Sequence, residues 1–234
     1  MTDTKDRLAE AALPHVVFDG MNMTALRAGA RDLRLSEDVA AAFFPAGGAD
    51  LAAWIHKRGD AQLAEWLKNA PGGRFRDRVA GAIWQRLEIA DVELVRAASA
   101  VLALPQNQPL AAKLLWETAD VIWTGLGDSS RDVNWYSKRA TLSAVYAASV
   151  LYWLGDHSEG RTETREFIDR RIDGVMQFEK LKASARKIPG VSMLTDLALG
   201  WVRAPKSTGE QSGGESAATE NATDENTTDE KEKA

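Results

Sequence analysis

The sequence has no cysteine and few histidines. Its 234 residues include only His15, His56 and His157, and none of them belongs to a His-x-x-x-His or Glu-x-x-His pair. The lack of cysteine excludes a disulfide framework, a thiolate metal site and a cysteine nucleophile. Because metal sites usually draw two or more ligands from one short segment, a histidine metal centre is not expected either. The residues therefore predict no metal and no other cofactor.

Long apolar runs and an excess of basic charge are missing as well. No stretch reaches the roughly 18 apolar residues that a membrane-spanning helix needs. The opening MTDTKDRLAEAAL has neither the apolar core of a signal peptide nor the Arg-rich composition of a transit peptide. We therefore expect a cytoplasmic protein. The net charge of −5 lies in residues 206–234, with eight acidic and three basic residues, so bulk electrostatics do not favour nucleic acid as a partner.

What the sequence does contain is helical periodicity, with 44% apolar residues and eight tryptophans to build a core. Pro14 is expected to end or kink the first helix, and Thr24 and Ser36 are expected to cap the second and third. Residues 140–154 are apolar nearly all round, which is typical of a helix at the centre of a bundle. The predicted helices are 3–13, 25–32, 37–44, 50–68, 75–89, 92–104, 108–126, 133–154, 162–186 and 191–203.

The helices suggest four regions along the chain. Residues 1–48 form a helix-turn-helix-like region, and residues 49–188 form a helical bundle that we expect to bind lipid. Residues 189–204 form an amphipathic helix. Residues 205–234 are rich in Gly, Ser, Thr, Asn and Glu, a composition that predicts a disordered acidic tail.

The front region, RLAEAALPHVVFDG, MTALRAGARDL and SEDVAAAFFPAGGADL, resembles the N-terminal part of TetR-type regulators. This resemblance implies an all-α, TetR-like bundle of about ten helices. In a DNA-binding member, the third helix must supply base and phosphate contacts. Here it holds Glu37 and Asp38 and no Lys, Arg, Asn or Gln, so DNA-reading residues are absent. A ligand-responsive transcription regulator of TetR type therefore remains an alternative that this helix does not favour.

A sharper pattern follows in TADVIWTGLGDSSRDVNWYSKRATLSAVYAAS and TREFIDRRIDGVMQFEKLK. It resembles the ubiquinone (coenzyme Q) biosynthesis accessory family Coq-nine, whose members have a TetR-like fold. About 70 residues match in order and spacing, and Asn-Trp-Tyr before a basic pair is the specific part. The residues that carry the resemblance are Asp120, Trp123, Gly127, Asp128, Ser129, Asp132, Asn134, Trp135, Tyr136, Lys138, Arg139, Ala140, Phe167, Arg171 and Asp173.

Trp135 and Tyr136 are neighbours on a helix, so they point about 100° apart and cannot both face the core. The residues alone leave two interpretations open. The pair caps the bundle, with Arg139 paired to an acid such as Asp120, or it forms the centre of a protein interface. The resemblance implies the second: an aromatic patch that docks the di-iron hydroxylase of the ubiquinone pathway. The partner-binding residues are then Trp135 and Tyr136, with Asp132 and Arg139 supporting the end of the helix.

The segment VSMLTDLALGWVR predicts a short amphipathic helix with cations around it. Such a helix suits an anionic membrane surface, although packing on the bundle is the other interpretation. The resemblance implies a C-terminal amphipathic helix that meets a phospholipid membrane, and therefore a peripheral position on the inner (cytoplasmic) face. The predicted lipid- or membrane-binding residues are Val191, Leu194, Leu197, Ala198, Trp201, Val202, Lys187 and Arg203.

No motif in the sequence indicates catalysis: a Gly-rich phosphate loop, a Ser/His/Asp order and a di-iron Glu-x-x-His pair are all missing. Catalytic residues are therefore not predicted, and a helical enzyme has no candidate residues. The resemblance implies a non-enzymatic binding module. It would hold an isoprenoid lipid or a ubiquinone precursor and present it at the membrane to the hydroxylase. A homodimer through the last two long helices is a further expectation.

Overall fold

The computed structural model describes residues 2–130 and 133–185, and these residues form α-helices joined by short turns, with no β-strand among them. Two short 3₁₀ turns, Pro105–Asn107 and Glu159–Arg161, precede the seventh and ninth helices. The helices are α1 (Thr2–Asp19), α2 (Met23–Asp32), α3 (Glu37–Phe43), α4 (Gly48–Leu67), α5 (Phe75–Glu88), α6 (Val92–Leu102), α7 (Gln108–Gly125), α8 (Val133–Gly155) and α9 (Thr162–Ala185). The predicted all-α class is confirmed.

Two helix starts test the predicted caps. Ser36 caps α3 as predicted, because its hydroxyl accepts a hydrogen bond from the Asp38 amide at 3.3 Å. The prediction of Thr24 as the cap of α2 is wrong. Asn22 holds that position, and its side-chain oxygen accepts from the amides of Thr24 at 2.7 Å and Ala25 at 3.3 Å. An asparagine satisfies these free amide groups as well as a threonine does.

The predicted end of the first helix at residue 13 is also wrong, since α1 continues through Pro14 to Asp19. Pro14 has no N–H group, so the carbonyl of Glu10, four residues earlier, lacks its usual helical donor. Both residues are exposed. Water can satisfy that carbonyl. The turn beyond Pro14 buries Val16 in the front core, which favours continuing the helix. Gly20, at φ +78°, then ends it.

The bundle has two apolar cores that share α4. The front core joins α1, α2 and α3 to the first half of α4 and to α6. The rear core joins the second half of α4 to α5, α7, α8 and α9. The largest fully buried apolar side chains of the two cores are Leu8, Leu26, Phe44 and Leu51 at the front, and Leu63, Ile83, Leu87, Ile122 and Ile168 at the rear.

The long helix α8 is less enclosed than its composition predicted. Leu142, Val145, Tyr146 and Trp153 are buried, but Leu151 is 69% exposed. Ala140 and Ala144 are exposed as well. Helices α5, α6, α7 and α9 pack around one side of α8, so its other side stays open. An apolar composition therefore did not make α8 a fully buried centre.

Asp156 fixes the start of α9. Its two oxygens accept hydrogen bonds from the amide and hydroxyl of Ser158 and from the amide and hydroxyl of Thr164, at 2.5–2.9 Å. Burial opposes ionisation of this carboxyl, but the four hydrogen bonds outweigh it and hold the pKa of Asp156 well below its ordinary value. The polar turn between α8 and α9 is thus closed by a single carboxylate.

No helix in residues 2–130 and 133–185 is both long and apolar enough to cross a membrane. Three sequence predictions lie outside the described residues: the helix 191–203, the tail 205–234, and the membrane-binding residues from Lys187 to Arg203. The tenth of the expected helices therefore rests on the sequence alone.

A close approach of α2 to the backbone of α1 predicts a sensitive position. A Cβ added at Gly29 of α2 would lie 2.7 Å from the backbone nitrogen of Ala12 in α1. Because backbone cannot move aside without displacing α1, we expect Gly29→Ala to lower the free energy of unfolding by about 1–3 kcal/mol. Urea denaturation followed by circular dichroism measures this change.

Gly81→Ala provides the matched control, because a Cβ at Gly81 in α5 would meet no atom within 4 Å. This variant should be neutral or more stable by up to about 1 kcal/mol, since alanine restricts the unfolded chain. Equal stability of Gly29→Ala and the wild type would contradict the tight α1–α2 crossing.

Candidate functional site

A cavity of about 370 Å³, called here the main cavity, lies between α4, α5, α6, α7 and α8. Its wall is mostly apolar, and it reaches the surface beside Leu151, which lines it and is 69% exposed. The apolar residues of the wall include Ile55, Leu94, Val95, Leu114, Leu115 and Val150. A recess of this kind is suited to an apolar ligand.

One part of this wall is polar, where His56 and Arg86 line the cavity and are hydrogen-bonded to Asp60 and Thr118. The Arg86 guanidinium donates from Nε to Asp60 at 2.8 Å and from a terminal nitrogen to the His56 carbonyl at 2.9 Å. The Thr118 hydroxyl donates to Asp60 at 2.9 Å, and His56 Nε2 lies 2.7 Å from the Thr118 oxygen. Asp60 and Arg86 are only 6% and 4% exposed. We call His56, Asp60, Arg86 and Thr118 the buried polar cluster.

The buried polar cluster carries little net charge. Asp60 and Arg86 neutralise each other across their hydrogen bond. Burial lowers the pKa of His56 below its ordinary value of 6.5, although the nearby Asp60 carboxylate opposes the shift. His56 is therefore uncharged at neutral pH. Gly59 makes room for this arrangement, because a Cβ there would lie 2.5 Å from the Arg86 guanidinium carbon.

The buried polar cluster was not predicted from the sequence. A signal was available: Asp60 lies four residues after His56 and three before Leu63, on the buried side of α4. Arg86 lies in the same way between Ile83 and Leu87 on α5. A charge inside an apolar stripe requires a buried partner. Which acid meets which base, however, depends on how α4 and α5 pack.

The predicted partner-binding residues lie at the start of α8. The rings of Trp135 and Tyr136 are 4.8 Å apart, and Trp116 of α7 contacts both, at 5.7 and 6.2 Å between ring centres. All three side chains are half-buried. We call Trp116, Trp135 and Tyr136 the aromatic cluster. Trp116 was not among the predicted residues, although it lies four residues before Asp120 on the same helix.

Behind the aromatic cluster lies a set of charges centred on the buried side chains of Arg139 and Asp128. The Arg139 guanidinium donates to Asp120 at 2.5 Å and to Asp128 at 3.1 Å, and it lies 4.0 Å from the centre of the Trp135 ring. Lys138 donates to Asp128 at 2.7 Å. The side chain of Arg139 is 3% exposed. The pairing of Arg139 with Asp120 suggested by the sequence is present, and Arg139 supports Trp135 from behind. Asp132 lies outside the described residues.

Asp128 is the acid that both cations share. Burial opposes its ionisation, but hydrogen bonds from Lys138, Ser130 and Arg139 outweigh that effect and lower the pKa of Asp128 to about 2. Asp128 therefore stays ionised through the physiological range. It ties the turn after α7 to the first turns of α8, which carry the aromatic cluster.

A second cavity of about 280 Å³ lies between α5, α7, α8 and α9. Phe75 and Trp123 stack at 5.5 Å between ring centres in its wall. Lys138 also lines it, so this cavity borders the ion pairs behind the aromatic cluster. Both cavities thus use α8 as a common wall.

Two cations of α2 are paired with an acid of α3. Glu37 at the start of α3 pairs with Arg31 at 2.7 Å and approaches Arg27 at 3.9 Å. The guanidinium groups of Arg27 and Arg31 are therefore engaged by a carboxylate of that helix. In the part of the chain that the structure describes, no group of three or more His, Asp or Glu side chains is placed to hold a metal ion.

The shared acid predicts a pH-dependent stability. Asp128→Asn removes the charge that pairs with Lys138 and Arg139, so we expect the free energy of unfolding at pH 7 to fall by about 1–3 kcal/mol. The folded-state pKa is below the ordinary value of 3.8. The ionised carboxylate therefore stabilises the fold above that value, and the stabilisation is lost as the pH falls toward 2.

Urea denaturation of both proteins at pH 7 and pH 3 checks this expectation. The difference in unfolding free energy should be smaller at pH 3. Glu65→Gln is the control, because Glu65 pairs with Lys68 on the surface and should change stability by less than about 1 kcal/mol. A difference that stays constant between the two pH values would contradict the role assigned to Asp128.

Comparison with known proteins bears on these same helices. The COQ9 family model matches residues 108–179, which include the aromatic cluster and its ion pairs. The Xenopus laevis protein named "Ubiquinone biosynthesis protein COQ9-A, mitochondrial" is 32% identical over 185 residues, covering 74% of this chain and 57% of the relative. The Homo sapiens COQ9 protein is 30% identical over 183 residues, covering 73% and 57%. The chain thus spans somewhat more than half the length of these relatives.

Among solved structures, the TetR transcriptional regulator from Nitrosomonas europaea superimposes with a TM-score of 0.57 at 16% identity. The superposition covers 73% of this chain and 97% of that chain. This likeness confirms the predicted TetR-like fold and, at such low identity, concerns the fold alone. Together, the family model over the aromatic cluster and the relatives at about 30% identity confirm the resemblance seen in the sequence: the chain is a homologue of the COQ9 proteins and matches their family model over residues 108–179.

Proposed function

We propose that this protein assists ubiquinone biosynthesis as a non-enzymatic lipid carrier. It binds an isoprenoid lipid or a ubiquinone precursor in the main cavity and presents it to the di-iron hydroxylase of the pathway. The observation that carries the proposal is the main cavity itself, a mostly apolar recess in a homologue of proteins that are named for ubiquinone biosynthesis.

The size of the main cavity supports a ligand that is only partly enclosed. Its volume of about 370 Å³ is near the lower end of the roughly 300–1,000 Å³ that small-molecule sites occupy. A long isoprenoid chain does not fit entirely in that space. The remainder of the chain leaves beside Leu151, which is exposed at the edge of the cavity, and lies against apolar surface or membrane.

The aromatic cluster supports a protein partner. Tryptophan and tyrosine supply much of the energy of protein interfaces because they bury large area at little conformational cost. Trp135 is held by Arg139 behind it and by Trp116 beside it. A ring fixed in this way loses little further freedom on binding. The hydroxylase would therefore meet the rings of Trp135 and Tyr136, while Arg139 keeps them in place.

Contact with the membrane belongs to the same proposal. The sequence places an amphipathic helix with flanking cations in residues 189–204, beyond the described helices. We propose that this segment binds the phospholipid surface, peripherally, where a ubiquinone precursor would be taken up. Pairing of two copies through α8 and α9 is a further part of the proposal, and nucleic acid is not among the proposed partners.

The lipid content of the purified protein tests the proposal for the main cavity. Lipids extracted after purification without detergent should include an isoprenoid or quinone species by mass spectrometry. Ala147 of α8 lines the main cavity, and Ala147→Trp should reduce the bound lipid at least severalfold because the indole fills the space. Wild-type protein without any bound isoprenoid, even after incubation with one, would overturn the proposal.

Two variants of the same helix serve as matched controls. Thr141→Trp fills the second cavity instead, and Ala144→Trp adds the same ring on the exposed side of α8. Both should retain the lipid. Loss of lipid with Thr141→Trp and not with Ala147→Trp would assign the ligand to the second cavity.

The partner surface has a separate test. The double variant Trp135→Ala with Tyr136→Ala should abolish binding to the di-iron hydroxylase of the same organism, measured by biolayer interferometry, while circular dichroism stays helical. Phe18→Ala is the control, since Phe18 is an aromatic residue 89% exposed on α1 and should not affect binding. Unchanged hydroxylase binding by the folded double variant would exclude these rings from the interface.

A further inference from the structure

Tyr146 is a buried residue whose hydroxyl group is not needed as a hydrogen-bond donor by any other described residue. It lies on α8 with 3% of its surface exposed, and it lines the main cavity. Within residues 2–130 and 133–185, its hydroxyl makes no hydrogen bond to another residue. In that same part of the chain, the side-chain nitrogen or oxygen that is fully shielded from solvent and makes no hydrogen bond is the indole nitrogen of Trp84. The Tyr146 oxygen does not meet both conditions. The Tyr146 hydroxyl is therefore not completely shielded, and the residue borders the main cavity.

The surroundings hold this group in place as an uncharged donor. The ring of His56 packs edge-on at 6.4 Å, and the Arg86 guanidinium lies 6.0 Å from the centre of the Tyr146 ring. Burial raises the pKa of Tyr146 to about 12, although the Arg86 charge opposes the shift. The phenol therefore keeps its proton at every physiological pH. A buried donor without an acceptor is costly, and a ligand oxygen would remove that cost.

The charges around Tyr146 determine which kind of ligand oxygen can bind beside it. Asp60 holds Arg86 in a direct hydrogen bond, and His56 is uncharged. Arg58, which also lines the cavity, pairs with Glu10 at 3.7 Å. Each cation of the described wall is therefore matched by a carboxylate. An anionic head group such as a phosphate would be buried here without a counter-ion, which is unfavourable. A carbonyl, ether or phenol oxygen needs only one donor.

We propose that Tyr146 is the head-group donor of the main cavity: its hydroxyl binds an uncharged ring oxygen of the ligand, which enters head first. This inference rests on the proposed function and specifies the ligand class as a prenylated quinone or phenol rather than a lipid with an anionic head. The exposed Leu151 lies five residues further along α8, about 7.5 Å along the helix axis. The oxygen thus lies inside and the isoprenoid chain leads out to the surface.

Displacement of the neutral fluorescent probe N-phenyl-1-naphthylamine from the full-length protein tests the inference. Three competing ligands are compared: ubiquinone-2, the oxygen-free isoprenoid β-farnesene, and farnesyl monophosphate. Tyr146→Phe should weaken ubiquinone-2 binding roughly three- to tenfold, the effect of losing one hydrogen bond. The same variant should change farnesene binding by less than about twofold, since the apolar wall is unaltered. Wild-type protein should bind the monophosphate more weakly than ubiquinone-2.

Tyr152→Phe is the matched control, because it removes a hydroxyl that contacts Glu163 at 3.3 Å on the surface, outside the cavity. It should leave all three affinities unchanged. Equal affinities of Tyr146→Phe and wild type for ubiquinone-2 would overturn the head-group donor, as would equal weakening of ubiquinone-2 and farnesene or preferred binding of the monophosphate. The lipid-carrier proposal would survive each of these results. Wild-type protein that binds none of the three ligands would instead overturn both.

Discussion

The ion pair between Asp60 and Arg86 connects the parts of this bundle that form its cavity. It joins the middle of α4 to α5, and through Thr118 it reaches α7. Removing two charges from water is costly, so such a pair adds little net stability over an apolar contact. The ion pair instead determines how α4 and α5 are positioned, because each buried charge must lie next to the other. Without this ion pair, the helices would close over an apolar core. The pair holds them around the polar part of the cavity wall.

The same physical device recurs at the beginning of α8. Arg139 is as deeply buried as Arg86, and it binds Asp120 in α7 and Asp128 in the turn that follows α7. In one place the buried arginine borders a cavity, and in the other it supports an aromatic surface. Both arrangements place a fixed cation behind aromatic rings. The proposed ligand site and the proposed partner site therefore depend on ion pairs that neither the ligand nor the partner needs to touch.

Much of the fold was predictable because helices are local. Every predicted helix from α3 to α9 agrees with the structure to within two residues, since caps and apolar spacing lie within a few residues of each other. Errors came where distant packing outweighed a local signal. Val16 is buried in the front core, and α1 continues beyond Pro14. Helix α8 has an apolar surface all round, yet its neighbours cover only one side of it.

The sequence by itself determined the all-α class, the absence of cysteine chemistry, and the Asn-Trp-Tyr pattern that led to the COQ9 family, because these depend on residue identity and short spacing. Trp135, Tyr136 and Arg139 could be chosen from that pattern. Only the tertiary structure decided that Trp116 joins them, and that Arg86, 26 residues away along the chain, neutralises Asp60. The tertiary structure alone also decided that the main cavity exists and that the hydroxyl-bearing Tyr146 lines it. A cavity is a space between helices, and its shape follows from how five of them pack rather than from any one segment.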